Sequence, residues 1–130
     1  MKEPKLARHM LILAQRDLKA AQNMMDTEKF DDAIFGFHAQ QTVEKALKAR
    51  LCLHGITYPK THDIRLLFRL LEDSHNSVDE QFYNLADLTD FAVEFRYDIL
   101  DDEPLNRISI VRKINVLLKH IEKLINDTVL

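Results

Sequence analysis

Two glycines and three prolines are the only strong chain breakers among 130 residues. Sheets and hairpins use glycine at left-handed turn positions and proline at fixed corners. A chain this poor in both has room for long helices and few connections. The apolar spacing agrees. Leu6, Met10, Leu13, Ala20, Ala21 and Met24 recur at three- and four-residue steps and predict a first helix over 5–25. Pro4 stands where a first helical turn tolerates proline. A second helix is expected from near Phe30, with Asp31 and Asp32 at the positive end of its dipole. It runs through Ala33, Phe37, Val43, Ala46, Leu47 and Leu51 and stops at His54-Gly55, with Gly55 as a left-handed cap.

Tyr58-Pro59-Lys60-Thr61 is the most loop-like segment, and Thr61 is expected to cap a short third helix over 62–73 that carries Ile64, Leu67, Phe68 and Leu71. A fourth helix is predicted over 78–97 on Leu85, Leu88, Phe91, Ala92 and Phe95. After Asp101-Asp102-Glu103-Pro104, a fifth follows over 105–126 on Ile108, Val111, Ile114, Leu118, Ile121 and Ile125. Short connections make sequential helices antiparallel neighbours. The expected fold is all-α, an up-and-down four-helix bundle with an additional short helix, forming one domain over 1–130.

Charge and cysteine content narrow the function classes. The net charge of −3 and pI near 6.0 give no overall basic footprint, which argues against a stand-alone nucleic-acid binder while leaving room for a local basic patch. A single cysteine, Cys52, allows neither an internal disulfide nor a thiolate cage. No apolar run approaches the roughly 18 residues of a membrane span, and no signal-peptide pattern precedes the first helix, so a cytoplasmic protein without a membrane partner is expected.

Candidate functional residues are those that break the amphipathic rule. Asp17 falls on the meridian of Leu6, Met10, Leu13 and Met24, a charge in the middle of the expected core stripe. On the second helix His38, Gln41 and Lys45 line up with Ile34 and Cys52 within roughly 60°, a polar seam beside Phe35, Ala46 and Leu53. Arg96 borders the Leu85/Ala92 stripe of the fourth helix. Asp17, Lys45 and Arg96 are thus expected to converge between three helices, with His38 and Gln41 nearby. Such a group would serve either as a register-setting ion-pair network or as a polar cleft or interface patch. His54 and His62 flank the loop, but two histidines without paired carboxylates or thiolates make a poor metal site, and no metal is expected. Tyr58 and Lys60 could touch a nucleotide. No phosphate-binding glycine loop, dinucleotide fingerprint or nucleophile elbow is present, and no cofactor is expected.

Phe37-His38-Ala39-Gln40-Gln41-Thr42-Val43-Glu44-Lys45-Ala46-Leu47-Lys48-Ala49 resembles the signature helix of HEPN domains, H-x-x-Q-x-x-E-K-x-x-K-A. His38, Gln41, Glu44, Lys45, Lys48 and Ala49 occupy its positions. Gly55 and Pro59-Lys60-Thr61-His62-Asp63-Ile64 resemble the family's connection into a short helix. Leu88 to Tyr97, ending Phe95-Arg96-Tyr97, resembles its fourth-helix segment. The resemblance implies a helical bundle, a homodimer, and pairing with a minimal nucleotidyltransferase in a toxin–antitoxin-like system. Contacts to a nucleotide, RNA or the partner would come from Asp17, His38, Gln41, Lys45 and Arg96, and secondarily from Lys48, Tyr97, Lys60 and His62.

Many HEPN proteins are metal-independent ribonucleases with an R-x(4–6)-H motif. Here Arg96 is followed by Tyr97-Asp98-Ile99-Leu100-Asp101-Asp102-Glu103, without the histidine needed for proton transfer. Arg69 and His75 fit the literal spacing, but in the short third helix rather than the last long ones. The expectation is a non-catalytic accessory subunit. The alternatives are a ribonuclease with a degenerate motif, which could draw on His38, and a plain dimeric interaction module.

Overall fold

The computed structural model describes residues 2–92 and 104–129. The helices are α1 (Pro4–Gln22), α2 (Asp32–Leu53), α3 (Ile64–Asp73), a 3-10 helix (Glu80–Phe91) and α4 (Arg107–Val129). Among the described residues there is no strand. The fold is the expected helical bundle.

α2 is its axis. α1, α3, α4 and the 3-10 helix all pack against it. Phe35, Ala39, Val43, Ala46, Leu47, Ala49, Leu51 and Leu53 are buried on successive sides of the same helix. A helix apolar on most of its circumference belongs in the interior, and the four elements around it supply the apolar stripes that cover it. Hydrogen bonds from Arg8 Nη2 to Asn126 Oδ1 (2.8 Å) and from Gln15 Nε2 to Glu122 Oε2 (3.3 Å) set α1 antiparallel to α4. Gly55, at φ 68°, ends α2 as expected, and Ile56 N returns to Leu51 O at 2.9 Å.

Three local expectations are corrected. The face of α1 that enters the core is Ala7, Leu11, Ala14, Leu18 and Ala21, while Leu6 is 43% exposed. The small alanines of this face let α1 pack closely on the bundle, chiefly against α2, and the bulkier Met10, Leu13 and Met24 are left half-buried at the rim. Asp63, not Thr61, caps α3: its carboxylate accepts from Arg65 N at 3.0 Å, and the Thr61 hydroxyl accepts from Asp63 N. Ile108 is exposed because three residues turn a helix by about 300°, which sets it some 60° outside Val111.

The fourth element winds more tightly than its reading as an α-helix implies. Phe82, Leu85, Leu88 and Phe91 are all buried and fall three residues apart. That repeat forms one straight stripe only at three residues per turn, the geometry of a 3-10 helix. Its end lies so close to α2 that a methyl added to Gly36 would fall within 2.9 Å of three atoms of the Phe91 ring.

Candidate functional site

The polar seam divides into two clusters along α2. The first joins α2 to α1. Because the buried face of α1 centres on Leu11 and Leu18, Asp17 stands at the rim of the core rather than in its middle. From there its carboxylate reaches two α2 side chains that stand two turns apart. Lys45 Nζ donates to Asp17 Oδ2 at 2.5 Å, and His38 Nδ1 faces Asp17 Oδ1 at 3.3 Å. All three are mostly buried, with 16% of the Asp17 side chain, 28% of His38 and 26% of Lys45 exposed. The Phe37 ring meets the His38 imidazole edge to face.

The second cluster joins α2 to the loop before α3, and its hub is Glu44, whose side chain is 6% exposed. Gln40 Nε2 donates to Glu44 Oε1 at 3.0 Å, Lys48 Nζ to Glu44 Oε2 at 3.0 Å, and His62 Nδ1 approaches Oε1 at 2.9 Å. A carboxylate can only accept, so His62 carries its proton on Nδ1. Gln40 Nε2 also donates to the His62 carbonyl at 3.1 Å, and Gln40 Oε1 accepts from Gln41 at 2.8 Å. Burial opposes the charge on Glu44, but its hydrogen bonds with Gln40, His62 and Lys48, together with the Lys48 charge, hold its carboxyl below the ordinary value.

The ammonium of Lys48 also lies 5.6 Å from the centre of the Tyr58 ring. The Tyr58 hydroxyl, 3.9 Å from Cys52 Sγ, is pushed up to about 12 by burial and by the neighbouring Cys52, Glu3 and Glu44. Burial likewise raises the Cys52 thiol above its ordinary value.

The structure therefore brings together Asp17, His38 and Lys45, and separately Gln41, Lys48 and His62 through Gln40 and Glu44. Lys60 is exposed and joins neither cluster. Arg96 and Tyr97 lie outside the described residues, so the three-helix convergence on Arg96 does too. The two loop histidines go to different partners, His62 to Glu44 and His54 to Arg50. His75 is the left-handed residue that ends α3, at φ 64°, with Asn76 N returning to Leu71 O at 2.8 Å. It makes no hydrogen bond to Arg69. Among the described residues Asp17 pairs with Lys45 and Glu44 with Lys48, and each carboxylate also faces a histidine.

The family model for the HEPN domain matches residues 7–129. The chain belongs to the HEPN family. A protein of Methanocaldococcus jannaschii, named "Putative toxin MJ1304", is 37% identical over 65 residues, which are 50% of this chain and 41% of that protein. The HEPN chain thus matches less than half the length of that relative. No solved structure matches it significantly. No helix among the described residues is long and apolar enough to cross a membrane.

Two arginines of this HEPN domain escape sequence reasoning. Arg107, at the start of α4, is buried and closes the corner between α1 and α2. Its guanidinium donates to the carbonyls of Met24 (2.6 Å) and Phe30 (2.5 Å) and to Asp32 Oδ1 (2.9 Å). It also lies over the Phe35 ring at 5.2 Å. A sequence signal was present: at about 100° per residue Arg107 falls on the meridian of Ile114, Leu118 and Ile125, a charge inside the apolar stripe of α4. Arg50 is buried on α2, with its Nε on His54 Nε2 at 3.4 Å and Nη1 without a partner. Accepting that bond leaves the His54 proton on Nδ1. Burial, with the charges of Arg50 and Lys2, favours this neutral ring.

Proposed function

We propose that this HEPN protein is a toxin-like, non-catalytic subunit that acts as a homodimer and docks on a minimal nucleotidyltransferase. The observation that carries the reading is how the signature helix disposes of its charges. Asp17 neutralises Lys45, Glu44 neutralises Lys48, and a histidine faces each carboxylate. Such closed networks fix helix register and loop position, and they leave little free acid–base capacity for turnover. The toxin name of the archaeal relative and the missing histidine after Arg96 support the same reading.

Co-purification of the tagged full chain from its native host tests it. A stoichiometric nucleotidyltransferase is expected in the eluate. Combined Lys45→Gln and Arg96→Ala substitution should weaken that complex at least tenfold, and a double variant retaining full partner and nucleotide binding would remove both residues from the role.

One observation favours a ribonuclease as the second reading. Asp17 holds His38 through Nδ1, while His38 Nε2 makes no hydrogen bond among the described residues and is available for proton transfer. RNA cleavage by the purified chain, abolished in His38→Ala and Arg96→Ala, would replace the accessory-subunit reading.

A further inference from the structure

Charge is unevenly distributed in this chain. Residues 72–103 hold eleven of the 21 Asp and Glu and one of the 18 Lys and Arg, a net of −10, which leaves +7 on the rest. Part of that excess gathers on one surface. Lys5, Arg16 and Lys19 are exposed on the side of α1 opposite its buried alanines, and Arg112, Lys119 and Lys123 on the corresponding side of α4. On each helix the three cations fall within about 60° of one another. None of the six makes an ion pair or a side-chain hydrogen bond among the described residues. The bonds Arg8–Asn126 and Gln15–Glu122 hold the two helices side by side and antiparallel, which puts Arg16 near the level of Lys119. On α1 the cationic stripe spans about 21 Å, at 1.5 Å per residue.

We infer that the outer face of α1 and α4 binds the phosphodiester backbone of a nucleic acid, without reading its sequence. The inference is independent of the nucleotidyltransferase reading and uses none of the same side chains. Unpaired, long, same-sign side chains in two parallel rows suit a chain of phosphates, whose contacts are mainly to Lys and Arg. A protein partner fits less well, because protein interfaces are depleted in lysine. Ile12 and Val116, exposed within the two rows, are too isolated to form an interface core. The net negative charge of the whole molecule leaves the attraction local, within a screening length of about 10 Å, and hence steeply dependent on salt.

Fluorescence anisotropy of the full chain with labelled 20-nucleotide single-stranded RNA, single-stranded DNA and duplex DNA tests this between 50 and 200 mM salt. Binding is expected, with log affinity falling linearly against log salt by about 0.7–0.9 per phosphate contacted. The triple variant Arg16→Gln/Lys119→Gln/Lys123→Gln should bind at least tenfold more weakly at 50 mM salt, with a salt slope shallower by about 2 to 3. Glutamine keeps a similar helix propensity, and an unchanged thermal melt would verify folding. Arg65→Gln/Arg69→Gln, on α3, should bind like wild type. Preference for RNA would identify RNA as the source of the phosphates, and equal binding of all three would identify the backbone alone. A folded triple variant that binds like wild type overturns the proposal. So does failure to bind any oligonucleotide at 50 mM salt, or displacement by polyglutamate as effective as by unlabelled RNA, which would point to an acidic protein instead.

Discussion

Glu44 shows how one side chain ties a loop to a helix. It titrates below its ordinary value of 4.5 because the hydrogen bonds it receives outweigh the cost of burying its charge. Its contribution to stability is therefore full above pH 4.5 and is lost as the pH falls through the lower folded value. Glu44→Ala should cost about 3 kcal/mol at pH 7, and the difference from wild type should shrink on acidification to pH 3 in urea titrations. Glu44→Gln should cost less and lack that acid-dependent loss. His75 offers the opposite test. It adopts a left-handed φ of 64° at the end of α3. His75→Gly should stabilise by about 0.5–1 kcal/mol, a rise of a few degrees in melting temperature. Residue by residue, the sequence placed Asp17 with His38 and Lys45 because helical periodicity puts side chains on a common meridian. It could not show Gln40 or Glu44 as the links to His62, because a loop's path past a helix is set by tertiary packing.

Helices as units were the most legible level, and their misreadings were rotations rather than absences. The periodicity of α1 fits two adjacent faces, one of large residues and one of alanines. Close packing against α2 selected the alanines. In the 3-10 helix the three-residue repeat from Phe82 to Phe91 was visible, yet it passes for part of an α-helical stripe unless the tighter period is considered. The approach of that element to α2 gives a prediction. Gly36→Ala must push the Phe91 ring away and should cost about 1–3 kcal/mol by thermal melting. At the other end of the bundle, Arg107→Lys keeps a charge but loses the planar fork that serves two carbonyls and Asp32 at once. A loss of about 2–3 kcal/mol is expected by urea denaturation.

Across the molecule, the central position of α2 orders its local stabilities. Amides from Ala39 to Leu51 lie in the helix that every other described element covers, so they should exchange with deuterium only on global unfolding. The outer turns of α1 and α4 should exchange faster, and mass-resolved hydrogen exchange distinguishes the two. Whole-molecule charge was legible only as a sum. A net of −3 gives no hint of +7 and −10 held in different stretches, and the alignment of the basic part on two neighbouring helices needs the fold. The same summation argued against a stand-alone nucleic-acid binder and left open only a local basic patch, without saying where it would lie.

The Arg107 clasp has a consequence for synthesis on the ribosome. α1 and α2 emerge first and can pair as a hairpin, but the carbonyls of Met24 and Phe30 receive their arginine only after some 75 further residues. At about 5–20 residues per second that interval is roughly 4 to 15 seconds. Throughout it the nascent hairpin must keep its corner hydrated, open to any chaperone that waits there.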